Sequence, residues 1–223
     1  MRSELDYPLR NKYYKHLWFV LVVPVYLLCF WICEQLVVDR YWVSYLPLDD
    51  LIPFREEFVA AYVSWYPCLF AMGFYLLWRN AGDFRRYMLY ILVGFLSALA
   101  FCLIFPNGQD LRPEHFPREN VFTWVLGMLY AADTNTNVLP SMHVIGSFAF
   151  VFAAFDARCL KSCRWIRPVT VIVAVLVCAS TVFVKQHSVL DTLVGIPWAF
   201  ATYAVVYLPG RKKRRASAMT ENR

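Results

Sequence analysis

The sequence predicts an all-α polytopic membrane protein: a six-transmembrane-helix bundle with an additional interfacial helix in its third loop. Three observations carry this expectation. Of the 223 residues 60% are hydrophobic and only 17% charged, where soluble domains run near half apolar and about a quarter charged. The apolar residues gather into runs approaching the ~20 that cross a bilayer as a helix, a conformation that satisfies its own backbone in hydrocarbon. Finally, the basic residues fall into alternating connections, as short loops on the two sides of a membrane require.

The runs are 17–38, 59–78, 87–105, 142–155, 169–184 and 187–208. The fourth is short at its apolar centre and is extended toward Leu160. Pro24, Pro67 and Pro197 lie within runs, where neighbouring helices can satisfy the freed backbone. The first run follows a charged amino end, is too long for a signal-peptide core and has no small-residue cleavage pattern behind it, so it is expected to stay in the mature chain. The chain reads as one domain, 1–223, with a basic tail at 210–223.

Seventeen of the 22 Lys and Arg residues fall at the amino end, in the second and fourth loops and in the tail; Arg40, Arg55, Arg112, Arg118 and Lys185 fall on the other side. Both termini are therefore expected in the cytoplasm, and the small size and short loops suggest a bacterial plasma membrane. The net charge of +6 is then mostly a topology signal, and GRKKRR an inner-leaflet anchor rather than a nucleic-acid surface. Five of the seven cysteines lie in the runs and read as packing residues. Cys159 and Cys163 sit beside a loop on the reducing side, so no disulfide framework is expected.

Two connections on the outer side differ. The first, LPLDDLIPFREEF and its flanks, reads as a solvated interfacial loop. The third, 106–140, is the longest and contains VFTWVLGMLYAAD, too short to span and suited to lying in the interface.

Ionisable residues at the ends of membrane runs are costly, and so they are informative. Three places on the outer side carry them: Arg112, Ser141 with His143, and Lys185 with His187 and Asp191. His187 and Asp191 are four apart, on one face of a helix, where a carboxylate can fix the imidazole tautomer and leave the other nitrogen as nucleophile or base. The pair alone is equally a helix-end hydrogen bond. Ser141 after Pro140 is placed to cap the fourth helix, whose unpaired N–H groups form an anion site. Arg112 and Lys185 could neutralise phosphoryl oxygens there, or simply be interface charges.

RP at Arg112-Pro113, PSMH at Pro140 to His143, and H-x3-D at His187 to Asp191, in that order and on one side, resemble the three signature motifs of the type 2 phosphatidic acid phosphatase superfamily. By position the resemblance implies that His187 is the nucleophile forming a phosphohistidine, Asp191 its orienting carboxylate, and His143 the acid for the leaving alkoxide. Arg112 and Ser141 correspond to phosphate-binding residues. The family's first motif opens with a lysine where this chain has Phe105, and its third with Ser-Arg where this chain has Ser180 and Thr181. Lys185 is offered as a replacement cation. The reduced set is more similar to the inositol phosphorylceramide synthase-like branch.

The expected function is a metal-independent integral membrane lipid phosphatase, without cofactor, acting on a phosphomonoester or diphosphate of a membrane lipid at the extracytoplasmic face. Three alternatives stay open. One is a lipid phosphotransferase passing the phosphoryl head group to an alcohol. Another is a metal hydrolase using His115, His143, His187 and Asp191. The last is a non-catalytic membrane scaffold.

Overall fold

The computed structural model describes residues 15–36 and 40–221. Arg2, Arg10, Lys12, Arg223 and Asp39, on which part of the charge reading rests, lie outside the described residues.

The first run is a 3-10 turn, Lys15–Leu21, that continues as helix α1, Val22–Leu36. A one-turn helix α2, Leu48–Leu51, and a 3-10 turn, Glu56–Phe58, lead into α3, Val59–Arg79. The helix α4, Ala81–Ile104, follows after the single residue Asn80, whose side chain accepts from the N–H groups of Gly82 and Asp83. This corrects the expected start at Tyr87. Asn80 caps the helix, and the charged Asp83, Arg85 and Arg86 form its first turns rather than a loop.

The helix α5, Val121–Ala132, is the short helix expected in the third loop, and it opens on a capping box of Asn120 and Thr123. It is followed by α6, Met142–Asp156, then α7, Ile166–Phe183, and α8, Val189–Glu221, which carries Pro197 and Pro209 and continues into the basic segment. Two short strands, β1 (Trp42–Val43) and β2 (Asn107–Gly108), pair in parallel and tie the first and third connections together.

Among the described residues, five helical stretches are long and apolar enough to cross a membrane: His16–Leu36, Glu56–Arg79, Ala81–Ile104, Ile166–Phe183 and Val189–Pro209. The fourth expected span, α6, is shorter, and its surroundings explain why. It packs against α3, α4, α7 and α8 and is buried along most of its length. A central helix is shielded by its neighbours, so it need not present a full apolar span to lipid. Small residues let the neighbours close in: a Cβ on Gly146 would lie 2.6 Å from the Trp65 ring, and one on Gly195 of α8 would lie 3.2 Å from the Ser141 carbonyl. One apolar core runs through α1, α3, α4, α6, α7 and α8. Phe70, Val175 and Val205 remain exposed on the outside of the bundle, which suits a helical membrane fold whose solvent is hydrocarbon.

Candidate active site

The starts of α6 and α8 lie side by side. The Ser141 N–H donates to the Asp191 carbonyl at 3.2 Å, and the Ser141 hydroxyl accepts from Val144 N at 3.4 Å, so Ser141 is the cap that its place after Pro140 suggested. The next helical position but one brings His143 into an aromatic box. Its ring centroid stands 4.3 Å from Tyr62, 4.5 Å from Trp65 and 5.6 Å from His187.

His187 sits on the turn between α7 and α8. Chain direction reverses there with Lys185 at φ 54°, a left-handed conformation that a lysine adopts only when neighbours hold it. The holding is extensive. The Thr181 carbonyl accepts from both Gln186 N and His187 N, the Val184 carbonyl accepts from Tyr130 Oη at 2.5 Å, and the Lys185 carbonyl accepts from Gln109 Nε2 at 3.1 Å.

His187 Nδ1 lies 3.3 Å from Asp191 Oδ2, with His187 on the turn two residues before α8 rather than on the helix face that the four-residue spacing suggests. Asp191 is fully buried, and its carboxylate takes two further donors: Ser188 N at 2.8 Å on Oδ2 and the Ser44 hydroxyl on Oδ1. Ser44 is also fully buried, with its own N–H on the Gly108 carbonyl at 2.7 Å. Nothing in its sequence surroundings singles it out.

The first connection is exposed over much of its length, but two of its acids turn inward. Asp49, 1% exposed, accepts from Ser188 Oγ at 2.7 Å, Val189 N at 2.8 Å and Leu46 N at 2.8 Å, capping α8 from another part of the chain. Glu56, equally buried, meets Arg118 at 3.0 Å and Asn120 at 3.2 Å. Alternation of acids and prolines reads as polar loop in a sequence, and only the tertiary pairing shows which acids turn inward.

Lys185 stands apart from the others. Its ammonium donates to the carbonyls of Asp49, at 2.8 Å, and Ile52, at 2.7 Å, and burial pulls its pKa below the ordinary lysine value. It clamps the first connection onto the turn.

Arg112 reaches the turn through Gln186, whose Oε1 accepts from Nη2. The same Nη2 meets the carbonyls of Asp133 (2.9 Å) and Thr134 (2.7 Å), Nη1 donates to the Tyr130 carbonyl (3.3 Å), and the guanidinium lies 4.5 Å from the Tyr130 ring centroid. Burial lowers its pKa as well. Nearby, the Asp133 carboxyl is pushed up to about 6, first by burial and then by the charge of Glu34. Glu34 accepts from the side chains of Thr134 and Asn137.

In this cluster His143 Nε2, Trp65 Nε1 and Arg112 Nε are buried without a hydrogen-bond partner, while the Tyr62 hydroxyl and the Gln186 side chain meet each other. These residues are joined in a chain, because Tyr62 and Trp65 pack on His143, His143 on His187, and Gln186 precedes His187 and binds Arg112. Unpartnered buried polar groups are costly, so His143, Trp65 and Arg112 mark where a polar ligand would find partners. Among the sequence candidates, the structure brings together Ser141, His143, His187, Asp191 and Arg112. Lys185 points to the carbonyls instead. Phe105, at the end of α4, packs on Trp42 and Phe101, and the Thr181 hydroxyl donates within its own helix to the Cys178 carbonyl. His115 is exposed, and among the described residues no three His, Cys, Asp or Glu side chains are grouped to hold a metal ion.

Comparison with known proteins adds one result. Residues 109–215 match the model of the PAP2 superfamily. The matched segment begins three residues before Arg112 and includes the starts of both α6 and α8. Members of that superfamily are helical membrane proteins, generally phosphatases or phosphotransferases. No curated protein and no solved structure matches the chain.

Proposed function

We propose that the protein is an integral membrane lipid phosphatase that cleaves a phosphomonoester or diphosphate of a membrane lipid through a phosphohistidine, with the PAP2-like segment forming its site at the extracytoplasmic face. The observation that carries the reading is the joined set of unpartnered buried polar atoms around His143 and His187.

His187 is the nucleophile. With Asp191 accepting from Nδ1–H, the lone pair on Nε2 attacks phosphorus while the bond from phosphorus to the lipid oxygen breaks. His143 gives its proton to that oxygen, help worth about 10² to 10⁴ in rate. Water then attacks the phosphohistidine, His143 takes back a proton, and phosphate leaves with Nε2 regaining its lone pair. Arg112 Nε, with the N–H groups at the start of α6, stabilises the phosphoryl oxygens, and Gln186 holds Arg112 to the turn. Lys185 belongs to this reading as the residue that fixes the turn.

The test is to incubate the purified protein with radiolabelled lipid phosphates, with and without alcohol acceptors, beside His187→Asn. Label bound to the wild-type protein and lost in the variant, with turnover reduced by about 10³-fold or more, is the expected result. Turnover that persists in His187→Asn, or that EDTA removes, overturns it. The product formed with an acceptor present distinguishes hydrolysis from transfer.

A further inference from the structure

The site continues into an apolar groove. Between α1, α3 and α4 lies a cavity of about 410 Å³, walled by residues that include Tyr26, Trp65, Tyr66, Gly73, Met88 and Phe95. Trp65 belongs to both places, lining the groove while its ring stands 4.5 Å from His143. Tyr66 does the same at 6.3 Å, edge-on. Tyr26 closes the junction from α1, its ring tilted against Phe95 at 4.8 Å and its hydroxyl donating to Met142 Sδ at 3.1 Å, one residue before His143. From this aromatic head the groove follows α3 down to Leu77, away from the motif end of the bundle.

From these contacts we infer that the groove holds one acyl chain of the substrate lipid, so that the chain hangs from the phosphate site along α3. This rests on the lipid-phosphate reading above and names the part of the lipid that reading leaves out. Length supports the assignment. Twelve helical residues from Trp65 to Leu77 span about 18 Å, close to the ~15 Å depth of one leaflet. The lining is apolar throughout, so a head group has no place in it. A chain leaving the bilayer for this groove gains no hydrophobic driving force, since lipid tails are as apolar as the helix faces. The groove therefore selects by shape, and it fixes the direction from which the phosphate meets His187.

Gly73 lines the groove opposite Tyr87: a Cβ there would come 3.3 Å from the Tyr87 ring, so a larger side chain would take up groove space. The experiment uses the inactive His187→Asn protein in lipid nanodiscs with a long-chain alkyl phosphate carrying a diazirine at the far end of its chain. Label is expected in residues 20–27, 69–77 and 84–91. It should be displaced by unlabelled long-chain phosphate but not by the corresponding alcohol. Label on the lipid-facing sides of α7 and α8, or equal displacement by the alcohol, overturns the inference. In the active protein, Gly73→Phe, with Leu27→Trp narrowing the groove from α1 as a second variant, should lower the ratio of long-chain to short-chain turnover several-fold; an unchanged ratio in both counts against it. Turnover with label elsewhere sinks the groove and leaves the phosphatase reading standing. Groove label without turnover on any lipid phosphate does the reverse.

Discussion

The connections 40–58 and 106–140 lie at the same end of the bundle and close on the same turn, yet they supply opposite things. The second brings Arg112, the carbonyl of Asp133 that holds it and, at its end, Ser141, the part of the chain that the proposed mechanism sets at the phosphate. The first supplies none of the groups in that mechanism and holds the turn that carries His187. Ser44 holds Asp191, Asp49 holds the start of α8, and the carbonyls of Asp49 and Ile52 receive Lys185. The difference teaches that the turn carrying His187 is clamped from one side and, in the proposed reading, equipped from the other, and that removing a clamp and removing a ligand group must fail in different ways.

Lys185→Met breaks this comparison most forcefully. If Lys185 is a clamp, the variant leaves two inward carbonyls without their donor and releases a left-handed turn. Hydrogen bonds from a charged group are worth about 1.5 to 3 kcal/mol each, so a stability loss of about 3 kcal/mol is expected, read as a lowered midpoint of thermal unfolding in detergent. A normal unfolding midpoint with KM raised tenfold would instead place Lys185 among the phosphate ligands and dissolve the division between the two connections.

The same division explains what was legible in the sequence. Helices could be read because hydrocarbon imposes a length and a polarity on every span, and α3 and α7 end within a few residues of their expected limits. The start of α4 could not, since its first turns are charged and depend on a cap at Asn80 that hydropathy does not register. Ser141, His143, His187 and Asp191 stood out because polar groups at the edge of a span demand a reason. Ser44 and Asp49 did not stand out, because a serine or an aspartate in a polar loop is ordinary until another chain segment closes over it. Gln186 was passed over for the same cause: an uncharged side chain beside a lysine and a histidine draws no notice, although it joins Arg112 to the turn.

Ser44→Ala tests the finer side of the comparison. The variant removes one donor from Asp191 and leaves Ser188 N and His187 Nδ1 in place. A carboxylate with one fewer hydrogen bond orients the imidazole less firmly. The expected result is a fall in kcat of about tenfold, roughly 1.4 kcal/mol, with KM and the unfolding midpoint nearly unchanged. Ser44→Thr keeps the hydroxyl and should restore most of the rate. If Ser44→Ala instead lowers the unfolding midpoint as far as Lys185→Met does, Ser44 is a clamp of the fold rather than of the carboxylate.

Asp133 gives the smallest effect and tests the equipped side. Its carboxyl is pushed up to about 6 by burial and by Glu34, and it stands near Arg112 and His187. A raised carboxyl is neutral below this value and ionises as pH rises through it. The charge that appears is negative and lies beside the residues that receive an anionic phosphate, so binding should weaken in that direction. KM of the wild-type protein for a lipid phosphate is therefore expected to rise by about threefold between pH 5 and 7, the scale of one screened charge at several ångströms. The phosphate's own second ionisation falls in the same window, so the quantity to measure is the difference between the wild-type protein and Asp133→Asn. Asp133→Asn should show the smaller rise. A KM profile identical in the two proteins would mean that the charge of Asp133 does not reach the ligand, and would leave its backbone carbonyl, which holds Arg112, as the residue's whole contribution.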